Sequence, residues 1–152
     1  MRWPLLGAIW LSGFLVSLDY TAVNIALPTL SAEFGVGTSA ISWIALSYML
    51  VMVALTLPAG AVIGRLGYPS ALTWSLALFA AASLASALAS SLWLLVVLRA
   101  IQGIGAAVMF AIGPAMIKTM FSRESRSRAF AIFSTAPTAG LCAGPAIGGE
   151  LT

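Results

Sequence analysis

The chain has 152 residues, 61% of them apolar and only 7% charged, with seven Lys or Arg, four Asp or Glu, no His and a net charge of +3. A soluble domain carries roughly 25% charged residues and a disordered chain is far less apolar, so both classes are excluded. Without His, and with Cys142 as the single Cys, the chain cannot build a His-based metal site, a Ser-His or Cys-His catalytic pair, or an internal disulfide. The few basic residues form no nucleic-acid-binding face.

What remains is an all-α, polytopic membrane protein. A segment of about 20 apolar residues satisfies its own backbone in lipid only as a helix. The charges divide the chain into five expected spans. The first covers residues 3–27 and contains Asp19. It is too long, and too interrupted by Asp19, for a cleaved signal peptide. The second covers residues 40–63. A loop, GRLGYPS (residues 64–70), follows with the Gly and Pro of a helix break. The third, residues 71–89, is rich in Ala and Ser. The fourth, residues 92–117, contains Arg99. A charged loop, KTMFSRESRSR (residues 118–128), leads to the fifth, residues 129–149. Trp3, Trp43 and Trp93 fall near span ends, as interfacial aromatics do. No soluble domain or linker is expected.

With alternating spans, Arg2, Arg65, Lys118, Arg123, Arg126 and Arg128 fall on one side. The opposite loops, residues 29–39 and 90–91, carry no Lys or Arg. The positive-inside rule then makes the amino terminus cytoplasmic. The cluster Arg123, Arg126 and Arg128 is first a topology signal, with anionic-lipid binding as a second reading.

Asp19 and Arg99 lie inside spans, where a central charge costs about 2.5–3.5 kcal/mol on insertion scales. Counted from the outer ends of their spans, Asp19 is about 12–16 Å deep and Arg99 about 10 Å, at 1.5 Å per residue. Equal depth lets them pair or share a polar cavity. Two readings fit: an ion or substrate site, or a buried salt bridge that fixes two helices. Gln102 is one turn from Arg99 on the same face. Thr21 and Asn24 follow Asp19 and could line the site or bond between helices.

A steric signal accompanies the charges. Gly140, Gly144 and Gly148 recur every four residues, with Ala136 one turn earlier, and Gly103, Ala107, Ala111 and Ala115 do the same in the fourth span. Such ridges let helix backbones approach closely. Pro137 and Pro145 each remove an internal hydrogen bond, and beside these glycines they suggest a bend or hinge. Cys142 reads as a small packing residue.

Three stretches resemble signatures of a known family. LDYTAVNIALP (residues 18–28), LVVLRAIQGIGAA (residues 95–107) and GLCAGPAIGG (residues 140–149) occur in order and at the first, fourth and fifth spans. The chain resembles the amino-terminal part of a major facilitator superfamily transporter, and more narrowly the fourteen-span drug:proton antiporters of multidrug efflux and drug resistance. The resemblance covers nearly the whole chain. It implies a role for Asp19 and Arg99 in coupling proton movement to export. It also makes Gly140, Gly144, Pro145, Gly148 and Gly149 the antiporter motif of the fifth helix. No cofactor is implied. The expected partners are protons, a small-molecule substrate, the lipid bilayer of the cell membrane and the missing remainder of the transporter.

One motif departs. The family's loop between helices two and three reads roughly G-x-L-A-D-R-x-G-R-K, and here it reads GAVIGRLGYP (residues 60–69). Gly60, Arg65 and Gly67 match; the acidic position is Gly64, and two basic positions are Tyr68 and Pro69. Glu124 in the next loop on that side could pair with Arg65 instead, worth at most about 1 kcal/mol if exposed. The family needs two six-helix bundles rocking about a central site, and this chain supplies five helices of the first. Competing expectations are therefore a fragment of a proton-coupled exporter, a truncated non-transporting product, and a major-facilitator importer of another substrate class. An enzyme is not expected, since no activated nucleophile can be assembled.

Overall fold

The computed structural model describes residues 3–148. Among these residues there are helices and no strands: α1 (Trp3–Phe34), α2 (Thr38–Ile41), α3 (Trp43–Leu66), α4 (Tyr68–Ala87), α5 (Leu92–Met120) and α6 (Arg123–Gly148). Four segments are long and apolar enough to cross a membrane: α1, α2 with α3, α4 and α5. With 26 residues, α6 is long enough at about 39 Å. It is less apolar because four charges open it and Ser, Thr, Gly and Pro interrupt its Ala-rich body.

Most helices run further than expected at one end, with a local cause for each extension, whereas α4 stops at Ala87, short of residue 89. The first passes residue 27 and continues through Pro28 to Phe34. Proline forfeits one internal hydrogen bond, and the chain first turns left-handed at Gly35, with φ 61°. The loop expected over residues 64–70 shrinks to Gly67, whose φ of 76° a side chain would resist. Pro69 then sits in the first turn of α4, where its missing N–H costs nothing. The loop expected over residues 118–128 reduces to Phe121 and Ser122. Its charges sit at the ends of α5 and α6, where they need no loop to reach water. Ser91 caps α5 by accepting a hydrogen bond from the Leu94 N–H at 3.3 Å. Pro137 and Pro145 lie within α6, which continues through both.

Small residues set how the helices pack. A Cβ on Gly103 would meet the Tyr48 carbonyl oxygen of α3 at 2.7 Å, and one on Gly105 would meet that of Ser75 in α4 at 2.8 Å. Two residues apart on a helix means nearly opposite faces, so α5 is clamped between α3 and α4. Ser47 adds a hydrogen bond across the first interface, donating to the Val96 carbonyl at 3.0 Å. A second interface joins α1 and α6. A Cβ on Gly140 would meet the Phe14 carbonyl oxygen at 2.6 Å. Trp10 Nε1 donates to Thr135 Oγ1 at 2.9 Å. Gly144 lies against the Thr21 side chain.

The order of these contacts gives the directions. Along α1 and α6 the paired residue numbers rise together (Trp10 with Thr135, Phe14 with Gly140, Thr21 with Gly144), so the two are parallel. The same holds for α3 and α5. Between α4 and α5 they run opposite, from Tyr68 near Ala115 to Ser75 near Gly105. Thus α1, α4 and α6 point one way and α3 and α5 the other. Arg65, Lys118 and Arg123 to Arg128 gather at one end with the start of α1, where Trp3 meets Phe121 edge-on at 5.9 Å. Large apolar side chains cover the outside: Leu57 is 89% exposed, Leu84 72% and Trp74 70%. Such a surface suits lipid, not water.

Candidate functional site

Asp19 falls near the middle of α1, and Arg99 two turns into α5. Their side chains meet. Arg99 Nη1 donates to Asp19 Oδ2 at 2.6 Å and to Gln102 Oε1 at 2.8 Å; Gln102 Nε2 donates to Asp19 Oδ1 at 2.9 Å. The three groups form a closed ring in which both carboxylate oxygens accept. Arg99 is 2% exposed and the Asp19 side chain 18%, so the acid is the one member open to its surroundings. The i, i+3 spacing of Arg99 and Gln102 puts both on one face of α5.

A fourth residue completes the cluster. The Arg99 guanidinium carbon stands 4.4 Å above the Tyr48 ring, and Tyr20 stacks against Tyr48 at 6.3 Å. A ring face attracts a desolvated cation by about 2 kcal/mol. Among the described residues, Arg99 Nε and Nη2 and Tyr48 Oη have no hydrogen-bond partner. Tyr48 was not among the expected site residues. Its signal was a tyrosine eight positions past the start of an apolar span, at about the depth of Arg99.

Thr21 and Asn24 do not join the ring. Thr21 Oγ1 donates to the Ser17 carbonyl at 2.9 Å and Asn24 Nδ2 to the Tyr20 carbonyl at 2.7 Å. Thr21 is two residues from Asp19 and so faces away from it; its methyl side packs on Gly144. Neither residue bonds across helices.

The glycine motif lies elsewhere, on the α1–α6 interface. Gly140 and Gly144 are buried there, and Pro145 is exposed beyond them. Gly148 ends α6, and Gly149 lies outside the described residues. At the basic end, Gly60 and Arg65 are exposed, and no atom comes within 4 Å of a Cβ built on Gly60. Glu124 does not pair with Arg65: among the described residues the one ion pair is Asp19–Arg99. The reason is placement: among the described residues α3 packs chiefly on α5 and α6 on α1, and α3 and α6 are not a closely packed pair. Cys142 is exposed and not packed.

The arrangement can do acid–base work. Protonating Asp19 would remove the charge that holds Arg99 and weaken the bonds that its two oxygens accept from Arg99 and Gln102. Removing one partner of a buried pair costs about 3–5 kcal/mol, which is large beside the few kcal/mol that separate conformations.

The Major Facilitator Superfamily model matches residues 9–152. The chain is 34% identical to the methyl viologen resistance protein SmvA of Salmonella typhimurium, over 99% of this chain and 30% of that protein. It is 36% identical to the putative multidrug resistance protein MdtD of Klebsiella pneumoniae, over 99% and 32%. It is 30% identical to the riboflavin transporter RibZ of Clostridioides difficile, over 97% and 32%. The chain therefore spans about a third of the length of these relatives.

Proposed function

The chain belongs to the Major Facilitator Superfamily, and from that premise we propose that it forms the amino-terminal bundle of a proton-coupled exporter of small, drug-like cations. The single observation that carries this reading is the Asp19–Arg99–Gln102 ring, a titratable group held by a buried cation at mid-membrane depth. Asp19 binds a proton and a cationic substrate in turn. Arg99 and Gln102 occupy both carboxylate oxygens when neither is bound. Export then needs different affinities in the two facing states, supplied as the bundle rocks against the remainder of the transporter. Gly140 and Gly144 hold α6 to α1, with α6 as the fifth span. The basic end faces the cytoplasm, and the protein sits in the cell membrane.

Two relatives named for resistance, SmvA and MdtD, support an exported drug-like substrate. The riboflavin transporter favours a second reading, carriage of another class of compound on the same scaffold. A permanent salt bridge is the structural alternative for the ring.

The test is Asp19→Asn in the full-length transporter. It keeps the shape and removes the titratable charge. Proton-driven export of a cation should be lost while the protein still inserts. The double variant Asp19→Asn with Arg99→Gln should not restore export; restoration would make the pair purely structural.

A further inference from the structure

A cavity of about 210 Å³ adjoins the ring, lined by Asp19, Val23 and Leu30 of α1, Ile44 of α3, Ser83 and Ser86 of α4, and Leu95, Arg99 and Gln102 of α5. Every lining residue other than the ring lies toward the end of the bundle opposite the basic residues. Leu30 is about 16 Å further along α1 than Asp19, at 1.5 Å per residue. The cavity thus extends from the carboxylate toward the outer ends of four helices.

Two features distinguish it from a gap between apolar side chains. Arg99 is 2% exposed, lines the cavity, and has Nε and Nη2 without a partner among the described residues. Ser83 and Ser86 are three residues apart on one face of α4 and bring the only hydroxyls to the lining. Ser86 Oγ donates to the Ala82 carbonyl at 2.8 Å, which leaves its lone pairs to accept from water. At about 30 Å³ per molecule, several waters fit. The charged and titratable groups around Asp19 are Arg99 from α5, Tyr48 from α3 and Tyr20 from α1 itself. The facing part of α4 brings serines only, and α6 meets this stretch of α1 through Gly140 and Gly144. Among the described residues, the cavity lining beyond the ring carries no charged side chain.

We propose that this cavity is a water-filled proton entry to Asp19 from the outer face, past Ser86 and Ser83. The inference rests on the proposed coupling role of Asp19.

Cysteine accessibility tests the route without relying on transport. In the full-length protein with Cys142→Ser, Ser83→Cys and Ser86→Cys are treated in intact cells with a membrane-impermeant cationic methanethiosulfonate. Both should react about tenfold or more faster than Leu84→Cys on the lipid face, because only a hydrated thiol ionises to the reactive thiolate. Unreactive Ser83→Cys and Ser86→Cys, beside a reactive Ser90→Cys at the helix end, overturn the proposal, as does labelling only from the cytoplasmic side. Ser83→Leu with Ser86→Leu should slow proton-driven export several-fold and leave substrate binding without a gradient unchanged. Unchanged export by that variant also overturns the route. If Asp19→Asn exports normally while the cysteines label, the coupling reading fails and the route falls with it. If Asp19→Asn is inactive and the cysteines do not label, the route alone fails.

Discussion

Replacing Gly140 by Ala tests how tightly α1 and α6 are joined. The added Cβ would stand 2.6 Å from the Phe14 carbonyl oxygen, 2.8 Å from Ser17 Cβ and 2.9 Å from the Leu18 nitrogen. Two of these three atoms are backbone, so no rotamer change relieves the contact and the helices must part. A separation of 0.5–1 Å forfeits about a quarter to a half of each dispersion contact along the seam. The overpacking cost is about 1–3 kcal/mol. Gly60→Ala is the reference, because a Cβ there meets nothing within 4 Å. Both changes gain the same helix propensity, about 1 kcal/mol, so their difference isolates the contact. A chain of this size shifts by roughly 2–4 °C per kcal/mol. Thermal unfolding of both variants in detergent, followed by loss of a monodisperse chromatographic peak, should place Gly140→Ala several degrees below Gly60→Ala. Equal midpoints would refute the close approach of α1 and α6.

Three further outcomes are expected. In a Cys142→Ser background, Ser39→Cys should react with an impermeant reagent in intact cells and Ser122→Cys should not; the reverse pattern inverts the topology. Gly144→Leu, forced against Thr21, should abolish export or turn coupled exchange into leak in the full-length transporter, and retained coupling would remove the glycine ridge from the mechanism. Gln102→Leu leaves Asp19 Oδ1 without its donor and should cost about 1–3 kcal/mol, read as a lowered unfolding midpoint with membrane insertion intact.

The fold class was legible because lipid leaves so few options: scarce charge and long apolar runs imply helices, and the charges mark their ends. The meeting of Asp19 with Arg99 was legible from depth alone, and that of Gln102 with Arg99 from i, i+3 spacing. Helix ends were less legible. Pro28 reads as a break, yet one missing N–H does not stop a helix near a span end; Gly35 and Gly67 do, through positive φ. Thr21 and Asn24 were misplaced because nearness in sequence was weighed above helical phase. Tyr48 and the serines of α4 were missed because they touch the ring only through tertiary packing, and a tyrosine or serine in an apolar span has no fixed meaning until its neighbours are known. The Arg65–Glu124 pair failed for the same reason: two loops on one side of a membrane need not belong to adjacent helices.

The central claim is that Asp19 gives up its proton when a cation binds. The direct measurement is substrate-induced proton release from the purified full-length transporter in weakly buffered detergent, read with a pH-sensitive dye. The account predicts a release that saturates with the cation and is absent from Asp19→Asn, although that variant remains folded. A release of the same size from Asp19→Asn would contradict it.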